Sequence, residues 1–205
     1  WCQGRHVFTI EATPTLRFPE IARRLAANHI STARPAKAVI LLRDPIDRAW
    51  SHYRMLKGYF PDWERRTFDE AVREELSEIG KGPAGSWRIL SEACMRAQSL
   101  SPAIERGPDV ALGYFDKRYL TSGEYVILVP HFLTAFGRDN VLVVDFKDFV
   151  EDTFATTNCV YTFLGIAPLA TLNAEPVNVG KAHLKGTTAR DALEPETLRD
   201  LETFF

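Results

Sequence analysis

The chain alternates between short apolar runs and longer segments in which apolar residues recur every three or four positions. The first pattern is typical of strands and the second of amphipathic helices. Strands are therefore predicted at Val7–Ile10, Ala38–Leu42 and Val141–Val144. The run Ala38–Leu42 is apolar throughout and bounded by charged residues, which predicts a strand buried on both faces. Asp145 ends the third run.

Helical periodicity follows or separates these runs, which predicts an α/β domain with a parallel β-sheet flanked by helices. The segment Phe18–Asn28 is expected to cross over to the strand Ala38–Leu42, so that a β-α-β unit with a parallel strand pair results. In Phe68–Ile79 the charged residues are expected to form the surface. The other predicted helices are Trp87–Leu100, Ser122–Phe136, one or two within Asp148–Leu164, and Pro195–Phe204.

A further helix is predicted directly after Arg43. Asp44 is a suitable N-cap, Pro45 fits the first turn, and Asp47 stands where a capping box has its acid. The expected core-facing stripe has the spacing i, i+3, i+4 and i+7 and consists of Ile46, Ala49, Trp50 and Tyr53.

The junction between this strand and helix predicts an anion site. Arg43 follows the carboxyl end of a strand, where open α/β sheets bind their ligands. The helix N-terminus presents free N–H groups, and the Arg43 guanidinium is a donor fork that fits phosphate. Ser51, two turns into the helix, adds a hydroxyl. The alternative is that Arg43 pairs with Asp47 or a carboxylate at the sheet edge and that Ser51 is only solvated.

Composition, net charge and cysteine spacing limit the classes of function that the chain is expected to have. Hydrophobic residues make up 45% of the 205 residues, charged residues 25%, and the net charge is −2, which argues against a general nucleic-acid-binding surface. No apolar stretch reaches 18 residues, so a membrane contact is expected only through a segment outside this chain. No metal is predicted, since the cysteines lack metal-ligand spacing, and their disulfide state stays open: Cys2, Cys94 and Cys159.

The segment Leu42–Tyr53, LRDPIDRAWSHY, resembles the R-[DN]-P-x-x-R-x-x-S-x-Y motif of sulfotransferases. These enzymes use 3′-phosphoadenosine 5′-phosphosulfate (PAPS) as the sulfuryl donor. The resemblance implies that Arg43 and Ser51 bind the 3′-phosphate of this donor.

A second segment, Lys185–Arg190, resembles the K-G-R-x-x loop of heparan sulfate sulfotransferases, which lies over the donor nucleotide. The arginine of that loop is replaced here by Thr187. The alternatives are a solvated lysine in a polar loop, or binding by the nearby Gly180-Lys181. The cofactor-binding residues implied by this resemblance are Lys185, Gly186, Thr187 and Thr188.

The resemblance implies the P-loop NTPase-like sulfotransferase fold and sulfuryl transfer to a hydroxyl or amino group of a carbohydrate, of the heparan sulfate or chondroitin type. The chain begins at Trp1 and ends on Phe204-Phe205, which suggests a fragment of a longer protein. Residues 1–205 are expected to form about the last three-quarters of one domain. The 5′-phosphosulfate loop and the catalytic residues are expected upstream of Trp1, so the fragment alone is expected to be inactive.

Two other functions and two locations stay open. The sheet is also compatible with a nucleotide-dependent, kinase-like enzyme, and the fold with a non-catalytic binding relative. The family resemblance implies a Golgi-lumenal enzyme with a single-pass anchor outside the chain, or a cytoplasmic enzyme if the source is bacterial.

Overall fold

The computed structural model describes residues 10, 12, 19–29, 35–79, 118–173 and 187–205. The predicted helix Trp87–Leu100 lies outside these residues, and of the predicted strand Val7–Ile10 only Ile10 is described. In chain order the described elements are α1 (Pro19–His29), β1 (Ala38–Leu42), α2 (Pro45–Tyr59), α3 (Phe68–Ile79), α4 (Tyr125–Phe136), β2 (Val141–Asp145), α5 (Phe146–Glu151), α6 (Thr153–Leu164) and α7 (Pro195–Phe204), with single 3₁₀ turns at Thr121–Gly123, Arg138–Asn140 and Arg190–Ala192.

The two described strands pair in parallel, as predicted. Ala38 lies opposite Val141, and the register continues to Leu42 opposite Asp145. The carboxyl ends of both strands therefore lie at the same edge of the sheet. Arg43 and Phe146, the next residue of each strand, follow at that edge.

The prediction that β1 is buried on both faces is wrong. Val39 and Leu41 are 41% and 49% exposed, and Val143 of β2 is 42% exposed. Within the described ranges the sheet has two strands, and helices α4 and α6 pack against it without covering these side chains. An apolar run is compatible with either degree of burial, because it does not specify how many neighbours the strand has.

The main core lies on the side of α2. The predicted stripe is confirmed, because Ile46, Ala49, Trp50 and Tyr53 are all buried. Trp50 stacks on Tyr53 with ring centroids 5.5 Å apart, and the Phe68 ring lies 5.0 Å from Trp50 and 5.3 Å from Tyr53. Such aromatic side chains bury large apolar areas and dominate the energetics of a core. Helix α2 is consequently fixed along most of its length.

The predicted helix boundaries agree closely with the structure. The predicted range Asp148–Leu164 holds two helices, although α5 begins two residues earlier, at Phe146. The two helices separate at Asp152, whose carboxylate caps α6 by accepting from Ala155 N at 2.8 Å. Helix α4 begins at Tyr125 rather than Ser122, since residues 121–123 form a 3₁₀ turn. It continues through Pro130. None of the helices in the described ranges is both long and apolar enough to cross a membrane.

Candidate functional site

Arg43 lies where the sheet ends and α2 begins. Its guanidinium carbon is 5.1 Å from the centroid of the Phe146 ring, a cation–π distance. The parallel register explains this contact, because Arg43 follows β1 and Phe146 follows β2 at the same edge. In the part of the chain that the structure describes, the guanidinium pairs with no carboxylate. Its donors remain available for an anion.

Helix α2 begins at this position with the predicted N-cap. Asp44 Oδ1 accepts from Asp47 N at 2.8 Å, and Pro45 occupies the first turn. The remaining N–H groups and the positive dipole end favour an anion here.

The carboxylates of Asp44 and Asp47 pair with Arg190 and not with Arg43. Arg190 Nη2 lies 3.5 Å from Asp44 Oδ2, and its Nη1 lies 3.7 Å from Asp47 Oδ1. This contradicts the alternative in which Asp47 neutralises Arg43. The carboxylate of Asp47 contacts Arg190. In a capping box it would instead accept a hydrogen bond from the backbone N–H of Asp44. Sequence reasoning did not assign Arg190 a role, because its partners are more than 140 residues away along the chain.

The segment 187–193 docks on the first half of α2. The indole Nε1 of Trp50 donates to Thr187 O at 3.2 Å. Ala189 and Leu193 are buried in the same core as Trp50. The structure thus places the backbone of Thr187 beside α2, and the predicted role of Thr187 and Thr188 in cofactor binding stays a prediction. Lys185, Gly186 and the competing Gly180-Lys181 lie outside the described residues.

Thr188, predicted to bind the cofactor, contacts Asp191 in this structure. Its backbone N and Oγ1 donate to Asp191 Oδ2 at 3.1 and 2.7 Å, and Asp191 N donates back to Thr188 Oγ1 at 3.1 Å. These hydrogen bonds stabilise the carboxylate and lower the pKa of Asp191 below its usual 3.8. The hydroxyl of Thr188 therefore shapes the turn at residues 188–191.

Ser51 is exposed in the second turn of α2. It lies four residues after Asp47 and hence on the same helix face, whose beginning is contacted by Arg190. Arg43, by contrast, is half-buried before the helix starts. Within the described residues, no direct bond joins the side chains of these two predicted phosphate ligands.

Tyr125, which lies in the predicted helix Ser122–Phe136 and received no functional role from the sequence, contacts the same junction. Burial raises the pKa of its hydroxyl, whereas the positive charge of Arg48 and a hydrogen bond with the Arg43 backbone lower it. The close approach depends on Gly123, where an added Cβ would lie 3.1 Å from the Pro45 side chain. A Gly two residues before a Tyr was the available sequence signal.

Tyr119 connects α2 to α3 through buried hydrogen bonds. Its backbone N donates to Glu75 Oε2 at 2.5 Å, and its hydroxyl donates to Glu64 Oε2 at 2.6 Å. Its carbonyl accepts from Arg48 Nη2. Its ring contacts two aromatic residues of α2, with centroid distances of 5.1 Å to His52 and 5.8 Å to Tyr53.

Glu75 is the most unexpected residue near the site. The sequence predicted the charged residues of α3 on the surface, yet Glu75 is only 5% exposed. Its carboxylate accepts from the backbone N of Tyr119, Leu120 and Thr121, the last two at 2.9 and 3.0 Å, and from Thr121 Oγ1 at 3.2 Å. Burial raises the pKa of Glu75, and these hydrogen bonds oppose that shift.

Comparison with known proteins identifies the family to which this chain is similar. Residues 15–179 match the sulfotransferase domain family. Carbohydrate sulfotransferase 15 of Mus musculus is 27% identical over 137 residues, which cover 66% of this chain and 21% of that protein, and the Rattus norvegicus protein matches with the same values. The chain thus spans about a fifth of the length of these curated relatives. A sulfotransferase crystal structure from Alicyclobacillus acidocaldarius aligns with a TM-score of 0.54 and 23% identity, over 93% of this chain and 57% of that one.

Proposed function

The chain belongs to the sulfotransferase family, and we propose that it contributes the 3′-phosphate site to an enzyme that transfers a sulfuryl group from PAPS to a carbohydrate. The family prediction and the predicted α/β fold are confirmed. A carbohydrate hydroxyl or amino group is the proposed acceptor because the matched mouse and rat relatives are carbohydrate sulfotransferases.

The observation that carries this proposal is the position of Arg43. Arg43 follows β1 at the carboxyl edge of the sheet and directly precedes the N-cap of α2, and its guanidinium lies over the Phe146 ring. A planar donor fork next to a helix N-terminus matches a phosphate in both shape and charge. We assign Arg43 as the main ligand of the donor's 3′-phosphate, with the exposed hydroxyl of Ser51 as an additional donor.

The segment Lys185–Arg190, here called the C-terminal loop, is proposed to lie over the nucleotide and close its site. The bond from Trp50 to Thr187 O holds the end of this loop beside α2. In the proposal, Lys185 and the backbone N–H groups near Gly186 grip a phosphate, and Thr187 and Thr188 line the nucleotide.

These residues contribute binding and orientation, not bond breaking. The 3′-phosphate is distant from the reacting sulfur, so its contacts hold the donor in line for attack by the acceptor. Charge develops on the leaving bridge oxygen during transfer, and groups at that oxygen stabilise the transition state. No residue of the described ranges is assigned to that task. In those ranges, no group of three or more His, Cys, Asp or Glu is placed to hold a metal ion.

The proposal predicts that Arg43→Ala weakens binding of adenosine 3′,5′-bisphosphate about 10- to 100-fold, since a charge-assisted hydrogen bond contributes about 1.5–3 kcal/mol. Calorimetry on the full-length protein measures this, with adenosine 5′-phosphate as the ligand that lacks the 3′-phosphate. Arg73→Ala, an exposed arginine of α3, is the matched control. Unchanged affinity in a folded Arg43→Ala protein would overturn the assignment.

For the compartment we propose the Golgi lumen, because carbohydrate sulfotransferases generally act there. A single-pass membrane anchor of the full-length protein is part of this proposal. Imaging of the tagged full-length protein in its own cell type tests this, and a cytoplasmic signal would favour the bacterial type of enzyme instead.

A further inference from the structure

We infer that Glu75 is a positioning residue of the 3′-phosphate site, which acts by fixing residues 119–125 against the start of α2. This inference rests on the proposed function, because it concerns how the phosphate ligand Arg43 is held. Glu75 itself belongs to α3 and contacts neither Arg43 nor Ser51.

The carboxylate of Glu75 accepts hydrogen bonds from three consecutive backbone N–H groups and from one hydroxyl. No arginine or lysine of the described residues pairs with it, so its partners among those residues are these uncharged donors. A buried carboxylate needs such bonds, and the donors would in turn be left unsatisfied without it. The backbone of residues 119–121 is thereby held in one conformation, 44 to 46 residues away from Glu75 along the chain.

The fixed backbone reaches the site by two routes. Through the first, the carbonyl of Tyr119 accepts from the Arg48 guanidinium, which orients a side chain of α2. Through the second, the 3₁₀ turn that begins at Thr121 places Gly123 against Pro45 and Tyr125 against the Arg43 backbone. A shift of residues 119–121 would consequently move the groups that surround Arg43.

Glu75→Gln tests the inference, because it keeps the size of the side chain and replaces one acceptor oxygen by an NH₂ group that faces backbone donors. The measured quantity is the ratio of affinities for adenosine 3′,5′-bisphosphate and adenosine 5′-phosphate, from calorimetry on the full-length protein. A loss of folded protein lowers both affinities equally, whereas a displaced 3′-phosphate site lowers the ratio. We expect the ratio to fall about tenfold, equivalent to about 1.4 kcal/mol.

Two further variants make the outcome decisive. Glu78→Gln changes an exposed glutamate on the same helix and is expected to leave the ratio unchanged. Thr121→Val removes only the hydroxyl bond to Glu75 and is expected to lower the ratio two- to threefold, which keeps the test valid if Glu75→Gln fails to fold. An unchanged ratio in folded Glu75→Gln, or in Thr121→Val where Glu75→Gln does not fold, would overturn the inference alone. A wild-type ratio near one would overturn the proposed function and the inference with it.

Discussion

At the scale of single residues, Arg43 is available to an anion because Arg190 pairs with the neighbouring carboxylates of Asp44 and Asp47. Asp44 and Asp47 lie one and four residues after Arg43, close enough to compete for its guanidinium. Arg190 contacts both at 3.5 and 3.7 Å. The two arginines therefore have different roles. Arg190 neutralises Asp44 and Asp47, and Arg43 lies at the edge of the sheet over Phe146.

Arg190→Ala should therefore weaken binding of adenosine 3′,5′-bisphosphate, because Asp44 and Asp47 then repel the phosphate and attract Arg43. Partly exposed ion pairs contribute about 0–1 kcal/mol each, so the expected loss is about two- to fivefold. Calorimetry at low and high salt measures it, and the loss should shrink as salt screens the charges. Arg199→Ala, an exposed arginine of α7, serves as control. Equal affinity of Arg190→Ala and wild type at low salt would contradict this account.

The hydrogen bonds between Thr188 and Asp191 predict a pH dependence. Because the pKa of Asp191 is lowered by folding, its contribution to stability is fully present above 3.8 and is lost as the pH falls through the folded pKa. Thr188→Ala should raise the pKa of Asp191 toward 3.8. Carboxyl NMR titration measures the midpoint, with Thr203→Ala as a control threonine whose hydroxyl bonds to Arg199 O. A midpoint unaffected by Thr188→Ala would show that the bond from the Thr188 hydroxyl to Asp191 does not form in solution.

At the scale of elements, local signals were sufficient for α2 and insufficient for β1. The Asp-Pro start and the apolar spacing identify α2, because capping and periodicity depend on residues within a few positions of each other. The burial of β1 depends on which elements cover it, and nothing in Ala38–Leu42 encodes that. The same reasoning applies to Glu75, which the helical pattern of α3 cannot distinguish from its exposed neighbours.

Asp44 has two functions that substitution can separate. Asp44→Ala removes the N-cap and should lower the free energy of unfolding by about 1 kcal/mol. Asp44→Asn keeps a capping oxygen and should lower it less, although it also loses the charge that contacts Arg190. Urea denaturation of both variants measures the difference. Equal destabilisation by the two changes would mean that the ion pair, and not the cap, is what Asp44 contributes.

At the scale of the whole molecule, the site is assembled from parts that are remote in sequence. Tyr119 and Arg190 contact the first turns of α2 directly, and Glu75 binds the backbone of residues 119–121. The motif at Leu42–Tyr53 predicts the location of the site because strand, cap and helix are contiguous there. The residues that support it could not be predicted, since no alternation or spacing connects Glu75 with Thr121 or Arg190 with Asp44. Tertiary packing alone brings them together.

The bond between the Trp50 indole and Thr187 O has a practical consequence for spectroscopy. This N–H donates from the core side of α2 to the carbonyl of Thr187, and the indole ring stacks on Tyr53 and contacts Phe68. A single assigned indole proton resonance therefore reports on the aromatic core and on the contact with Thr187. Its chemical shift follows the aromatic stacking, and its rate of exchange with water follows the docking of Thr187 on α2. The protein therefore carries its own probe of the contact between α2 and Thr187, and no label needs to be introduced.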